Sequence, residues 1–362
     1  MPQVTALMIG CGTVGIATAR LLLEDAKFQH LVVADRAVER ARLLADSLDG
    51  PVTAIQLDCL QEEHLVAALD GIAIVLNTTG PFSHDTLSLM RTVIEAGIPY
   101  ADVNDDVETP QSVFDSESLD SLARHRGVGV LPGLGASPGS TNVMARHLAS
   151  RMETVEEVRF YMVNDATYRS EGVWRYRLSL FGEPTLLYDQ GAWTQSPGMS
   201  QYQDVAFPAP WGNIRCYMVG LETVTIPQSF DGLRHASFWR GFSDPATTEI
   251  LKGLVDTGFA SEEPLQVDGA SVAPAALTAA QAGGRKRHPS GTVNRTGHDL
   301  FISAWRHCRR HRFEFGCRRW TAGQPGATQA WCVTARGFGP GPVHVGHGIQ
   351  RCPLQAGRLW QR

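Results

Sequence analysis

No stretch of this 362-residue chain approaches the about 18 consecutive apolar residues of a membrane-crossing helix, so no membrane partner is expected. The opening segment MPQVTALMIG lacks a basic region before its short apolar run, which argues against a signal peptide. The seven cysteines form no closely spaced pairs, and only Cys11, Cys59 and Cys216 precede residue 284. That pattern excludes a disulfide framework and a zinc module, and it points to a reducing cytoplasm. From 153 to 283 neither metal-ligand spacing nor a nucleophile elbow occurs, and no metal is expected. Lysine is nearly missing: Lys27, Lys252 and Lys286 stand against 29 arginines, the bias of a GC-rich gene. What is present, 43% hydrophobic and 19% charged residues, describes a globular chain long enough for two domains and an appendage.

The net charge of −5 hides an asymmetry, with −17 over residues 1–283 and +12 over residues 284–362. The second segment also holds four of eight Trp, four of seven Cys and six of twelve His, and its apolar residues follow neither a 2.0 nor a 3.6 period. Two explanations stay open. An altered reading frame beginning near 283 would give Arg, Gly, Pro, His, Trp and Cys with few acids; a native basic extension would bind nucleic acid or an acidic partner through its arginines. The first is preferred, and with it no nucleic-acid partner is expected.

Over the first 130 residues, apolar runs at 4–10, 30–35, 52–57, 72–78, 99–103 and 128–132 alternate with helical patterns such as 38–48 and 85–97. Such alternation predicts an α/β fold, a doubly wound parallel sheet with helices on both faces. Within it, "LMIGCGTVGIATARLLLED" runs from a strand through Gly10, Gly12 and Gly15 into a helix, and Asp35 ends the next strand 20 residues after Gly15. In that context the glycines read as a Rossmann dinucleotide turn. Gly10 permits the tight turn, Gly12 the approach of pyrophosphate to the backbone around Thr13 and Val14, and Gly15 the packing of helix on strand. Asp35 suits the ribose hydroxyls and repels a 2′-phosphate, which favours NAD over NADP; Arg36 beside it weakens the choice. Asp58 is a candidate for the adenine edge or, equally, for a helix N-cap. In "NTTGPF", at the end of the fourth strand, Thr78, Thr79 and Gly80 are expected beside the ribose and nicotinamide.

Together with GCGTVG and NTTGPF, "AGIPYADVNDD" at 96–106 and "GLGASPGSTN" at 133–142 resemble the saccharopine dehydrogenase family, over about residues 4–283. The resemblance implies a nicotinamide-dependent enzyme that interconverts an amine and an imine, often on an amino acid or polyamine. It further implies that the substrate lies between the dinucleotide domain and a second, mainly β domain, bordered by the Asp102–Asp106 turn and the loop at 135–139. In relatives the segment after the β domain completes that sheet, which residues 284–362 do not match.

The residues suit such chemistry. Amine oxidation needs an unprotonated amine and then stabilises a cationic product, so carboxylates help twice, and Asp105 and Asp106 are the catalytic candidates. Either is equally readable as the N-cap of a helix beginning near 109. Ser137 and Asn142 flank the start of the helix "STNVMARHLASRM", whose free N–H groups favour a substrate carboxylate, while Ser140 is a candidate cap. From 153 to 283 short alternating runs at 155–163, 214–220, 221–227 and 235–242 predict an antiparallel sheet with one solvated face, with helices near 172–188 and 245–257. There Arg175 and Arg177 are candidates to clamp a substrate carboxylate, with Trp174 or Trp239 closing over an apolar chain.

The expected organisation is therefore a Rossmann domain at 1–131, a substrate and dimerisation α+β domain at 132–283 and an atypical Arg-rich tail at 284–362. The expected activity is an NAD(P)-dependent oxidoreductase acting on an amine or amino acid, as a homodimer. A non-catalytic dinucleotide sensor or scaffold is the alternative.

Overall fold

The computed structural model describes residues 4–25, 28–80, 85–105, 116–164, 171–220, 222–283 and 329–336. The chain divides into two compact units, Met1–Ser140 and Thr141–Arg362.

In the first unit, strands β1 (Val4–Ile9), β2 (Phe28–Asp35), β3 (Val52–Gln56), β4 (Ile74–Asn77), β5 (Tyr100–Asp102) and β6 (Val130–Leu131) form one sheet in the order β3-β2-β1-β4-β5-β6. Every pairing is parallel. Helices Thr13–Glu24, Val38–Asp46, Glu62–Ala68, Asp85–Glu95 and Glu117–Arg126 fall between the strands. The sequence of β1 shows why both faces must be covered. Leu7 and Ile9 join a core with Leu65, Met90, Val93 and Leu119, whereas Ala6 and Met8 join another with Ala19, Ala41 and Leu44. The strand order reverses between β1 and β4, which opens a crevice at the carboxyl ends of those strands, where doubly wound sheets bind ligands.

The second unit is built on a seven-stranded sheet, β10 (Tyr202–Phe207), β11 (Gly212–Val219), β12 (His235–Phe242), β7 (Glu157–Asn164) and β15 (Gln329–Arg336) in order, with β8 (Thr185–Asp189) on β12 and β9 (Ala192–Ser196) on β8. Only β12 and β7 run parallel, so the sheet is mainly antiparallel as expected. One face, carrying Val158, Phe160, Met162, Phe238 and Phe242, packs on Leu178, Phe181, Leu251, Ala275 and Ala279 of helices Glu171–Gly182, Pro245–Asp256 and Pro274–Gly283. A separate hairpin, β13 (Leu265–Val267) and β14 (Ala270–Val272), stands apart from this sheet.

Several expectations need correction. The second sheet face is not solvated over its middle, since Tyr161, Val163, Val205, Ile214 and Cys216 are buried together on it. Residues 222–227 do not form a strand: Glu222–Thr225 is a helical turn followed by the 3-10 turn Pro227–Ser229. Glu222, Thr223 and Val224 are consecutive and all buried, where a strand with one solvated face would alternate; Thr223 donates to the Leu186 carbonyl and Glu222 accepts from Thr141. The helix expected to reach 188 stops at Gly182, and Thr185 opens β8. The tail, in which no long-range period was legible, supplies β15, paired in register with β7 over all eight residues. Among the described residues no helix is long and apolar enough to cross a membrane, and no group of three or more His, Cys, Asp or Glu could hold a metal.

Candidate functional site

At the end of β1 the chain turns at Gly10, whose φ of +100° is a conformation L side chains rarely adopt. A Cβ on Gly10 would lie 2.8 Å from the Thr78 carbonyl, and one on Gly15 only 2.0 Å from the Gly10 carbonyl oxygen. The helix thus packs against the turn so closely that neither position accepts a side chain. Thr78 ties the turn to β4, donating from Oγ1 to the carbonyls of Gly10 (2.8 Å) and Ile9 (3.1 Å). Gly12 differs: its φ is ordinary, and a Cβ there would meet nothing within 4 Å. It is also the N-cap of Thr13–Glu24 with no side chain to offer, so the first-turn N–H groups around the exposed Thr13 and Val14 face open space. A close-packed turn with one open glycine at a helix N-terminus is the cradle a pyrophosphate requires.

Asp35 is fixed beside it. One carboxylate oxygen accepts from the Cys11 N–H and the other from the Ala37 N–H, both at 2.9 Å. Burial, with Asp35 adding to it, pushes the Cys11 thiol up to about 12. Arg36 follows with an exposed side chain and a carbonyl that accepts from Gln56. The capping alternative for Asp58 is corrected: its carboxylate accepts from Leu60 N–H at 3.3 Å, while Gln61 is the N-cap of Glu62–Ala68.

At the carboxyl ends of β4 and β5 lies a buried polar network. Asn77 donates to the Tyr100 hydroxyl (3.0 Å) and accepts from the backbone (3.0 Å) and hydroxyl (2.7 Å) of Thr79, fixing that loop. Burial, reinforced by Asp102, holds the Tyr100 hydroxyl well above the usual tyrosine range. Asp102, 2% exposed, accepts from the N–H groups of Asn104 (3.0 Å) and Gly133 (2.7 Å), and its own carbonyl accepts from Leu134 (2.7 Å). One side chain therefore joins the 102–105 turn to the glycine-rich loop carrying Ser137. That loop closes on itself through Gly135 N–H to the Pro138 carbonyl, and a Cβ on Gly139 would lie 2.2 Å from the Gly135 oxygen. Ser140 is the first residue of the helix Ser140–Ala149, not its cap. Asp105 follows this turn half-buried, Gly80 is exposed, and Asp106 lies outside the described residues.

In the second unit, Asn142 donates to Thr225 at 2.6 Å. Arg175 makes two 2.8 Å bonds to Glu262, so the clamp expected to hold a substrate carboxylate is filled by a protein one. Arg177, 4% exposed, lies over the rings of Trp174 and Phe242 at 5.5 and 5.3 Å. Trp239 donates to Ser237 on the sheet face away from the helices.

Residues 6–127 match the model of the saccharopine dehydrogenase NADP binding domain. That match spans most of the first unit, which carries a dinucleotide-binding domain of this type. Among solved structures, apo saccharopine dehydrogenase (L-Glu forming) from Saccharomyces cerevisiae is similar at 17% identity and a TM-score of 0.52. That match covers 72% of this chain and 60% of the yeast chain, so this chain spans less than two thirds of the relative's length. At this identity the likeness establishes the fold. GenD2 from gentamicin A biosynthesis, solved in complex with NAD, is similar at 17% identity and a TM-score of 0.37, covering 68% of this chain and 67% of that one. A myo-inositol dehydrogenase from Corynebacterium glutamicum matches at 14% and 0.39, with coverages of 66% and 68%.

In the first unit the Asn77–Tyr100–Asp102 network was not read from the sequence. The available signal was three polar side chains, Asn77, Tyr100 and Asp102, at the ends of otherwise apolar strands.

Proposed function

We propose that the chain is an NAD(P)-dependent oxidoreductase that transfers hydride at an amine or imine carbon of an amino acid or polyamine. The observation that carries the dinucleotide half is the pairing of an open Gly12 with a carboxylate, Asp35, pinned by two backbone N–H groups. A nicotinamide bound there supplies the hydride acceptor. In this reading the helix N–H groups after Gly12 hold the pyrophosphate and Asp35 accepts from the ribose hydroxyls. Thr78, Thr79 and Gly80 line the nicotinamide end, with Thr79 oriented by Asn77. The family's description names NADP; in this chain the fixed Asp35 carboxylate opposes a 2′-phosphate, and Arg36 offers it a cation, so NAD is preferred by degree.

The amine half rests on the turn and loop that Asp102 holds together. In this reading Asp105 and its sequence neighbour Asp106 are the carboxylates that hold a cationic amine and take one proton from it, since only the neutral amine can lose hydride. Ser137, on the loop anchored through Gly133, lines the same side of the sheet ends. A second reading, a dinucleotide-binding sensor, is favoured by Asn142 and Arg175 being engaged by Thr225 and Glu262. The test is reduction of NAD and NADP with a panel of amino acids and polyamines: turnover supports the enzyme, whereas tight dinucleotide binding with no turnover on any member supports the sensor.

A further inference from the structure

Two neighbouring threonines stand where β4 ends, and their hydroxyl protons are committed differently. Thr78 Oγ1 donates to the carbonyls of Gly10 (2.8 Å) and Ile9 (3.1 Å), and a Cβ on Gly15 would lie 2.9 Å from it, so that hydroxyl is taken up by the glycine turn. Thr79 Oγ1 donates instead to Asn77 Oδ1 at 2.7 Å. The direction of this bond is imposed. The Thr79 backbone N–H, which can only donate, reaches the same Asn77 oxygen at 3.0 Å. The carboxamide must therefore turn its oxygen to Thr79 and its nitrogen to the Tyr100 hydroxyl, 3.0 Å away. A carboxamide oxygen accepts and cannot donate, so the Thr79 proton is fixed on it.

A threonine hydroxyl has one proton and two lone pairs. With its proton held by Asn77, Thr79 Oγ1 offers lone pairs alone, and among the described residues nothing donates to them. Asn77 and Tyr100 are each 1% exposed and lock the arrangement from behind, whereas Thr79 is half-buried at the carboxyl end of β4. The crevice of the first unit thus has a polarity. The open N–H groups after Gly12 suit an acceptor such as a pyrophosphate, and the Thr79 oxygen suits a donor. A nicotinamide dinucleotide carries N–H donors at its two ends, on adenine and on the nicotinamide carboxamide. Asp35 ends β2, which pairs with one side of β1, and β4 pairs with the other, so the adenine end belongs with Asp35 and the carboxamide with Thr79.

We propose that Thr79 Oγ1 accepts a hydrogen bond from the carboxamide NH2 of the nicotinamide, with Asn77 and Tyr100 as positioning residues that keep the hydroxyl in its accepting state. This deepens the function proposed above and rests on its dinucleotide half. Fixing the carboxamide fixes the rotation of the ring about its glycosidic bond, and with it the face that meets the substrate.

The test compares NAD with its acetylpyridine analogue, in which a methyl group replaces the carboxamide NH2, by isothermal titration of the full chain. Wild type should bind NAD about three- to tenfold the more tightly, the range of one neutral hydrogen bond. Thr79→Val keeps the side-chain shape and the backbone bond to Asn77 but has no oxygen, and it should abolish the preference. Thr79→Ala reads the same loss should the valine variant not fold, and Thr79→Ser should keep the preference. Tyr100→Phe, which releases the Asn77 nitrogen, should narrow the ratio; a merely destabilised chain would bind both dinucleotides more weakly at an unchanged ratio. Equal affinity of wild type for the two, or a preference that survives in Thr79→Val, overturns the contact. An equal loss of both dinucleotides in Thr79→Val assigns the oxygen to a ribose hydroxyl and overturns it as well. Failure of the proposed function reads differently: binding of neither dinucleotide removes that function and this contact together, whereas binding with the stated preference but without turnover removes the enzyme and keeps the contact.

Discussion

Adding one methyl group at Gly12 or at Gly15 should have opposite consequences, although the two positions are three residues apart. At Gly15 the new Cβ would lie 2.0 Å from the Gly10 carbonyl oxygen and 2.9 Å from Thr78 Oγ1, and the nearer atom is backbone that cannot swing away. Relieving that contact must pull the first helix off β1. Overpacking of this kind costs about 1–3 kcal/mol or more, and each kcal/mol lowers the melting temperature of a unit this size by about 3–5 °C. At Gly12 the methyl enters open space with an ordinary φ, so the loss is the preference of an N-cap for glycine over alanine, roughly 0.5–1 kcal/mol. The same methyl would occupy the space that a pyrophosphate must enter. Gly12→Ala should therefore fold nearly as wild type and lose about tenfold or more in dinucleotide affinity, which corresponds to about 1.4 kcal/mol. Gly15→Ala should lose stability first. The assay is thermal denaturation of each variant alongside a fluorescence titration with NADH. Undiminished affinity in a folded Gly12→Ala chain, or a Gly15→Ala chain as stable as wild type, would refute the reasoning.

Replacing Asp35 by Ser should relieve repulsion of a 2′-phosphate and leave Arg36 to pair with it, shifting preference toward NADP; a wild-type chain that already binds NADP much the tighter would show Asp35 misread. Tyr100→Phe removes the acceptor for Asn77 Nδ2 in a buried network and should cost about 1–3 kcal/mol, read as a lower denaturant midpoint; an unchanged midpoint would deny the network its role. Because the folded-state Cys11 thiol is raised, the unfolded chain ionises first. Its contribution is therefore complete below about pH 9 and is lost as pH rises toward 12, so Cys11→Ala should flatten the fall in stability over that range. Arg175→Ala breaks an exposed pair with Glu262 and should cost under about 1 kcal/mol without changing KM; a large rise in KM would return Arg175 to the substrate.

The parallel sheet of the first unit was legible because apolar runs alternate with helical periods, whereas the order β3-β2-β1-β4-β5-β6 is visible only in the structure. The glycine turn was legible for a related reason, its place between a strand and a helix. The bonds of Asn142 and Arg175 to Thr225 and Glu262 were not legible, because those partners are 83 and 87 residues away. Residues 221–227 alternate like a strand in sequence, yet Glu222, Thr223 and Val224 are buried in succession and form a helical turn. The strand Gln329–Arg336 lay in a segment whose composition obscured it.

The account is tested most directly by following hydride. Amino acids deuterated at the carbon that bears the amine, incubated with the chain and oxidised dinucleotide, should pass the label to the nicotinamide ring as reduced cofactor forms, and mass spectrometry should find it there. Tight dinucleotide binding with no labelled or unlabelled reduced cofactor from any amine would contradict the central claim.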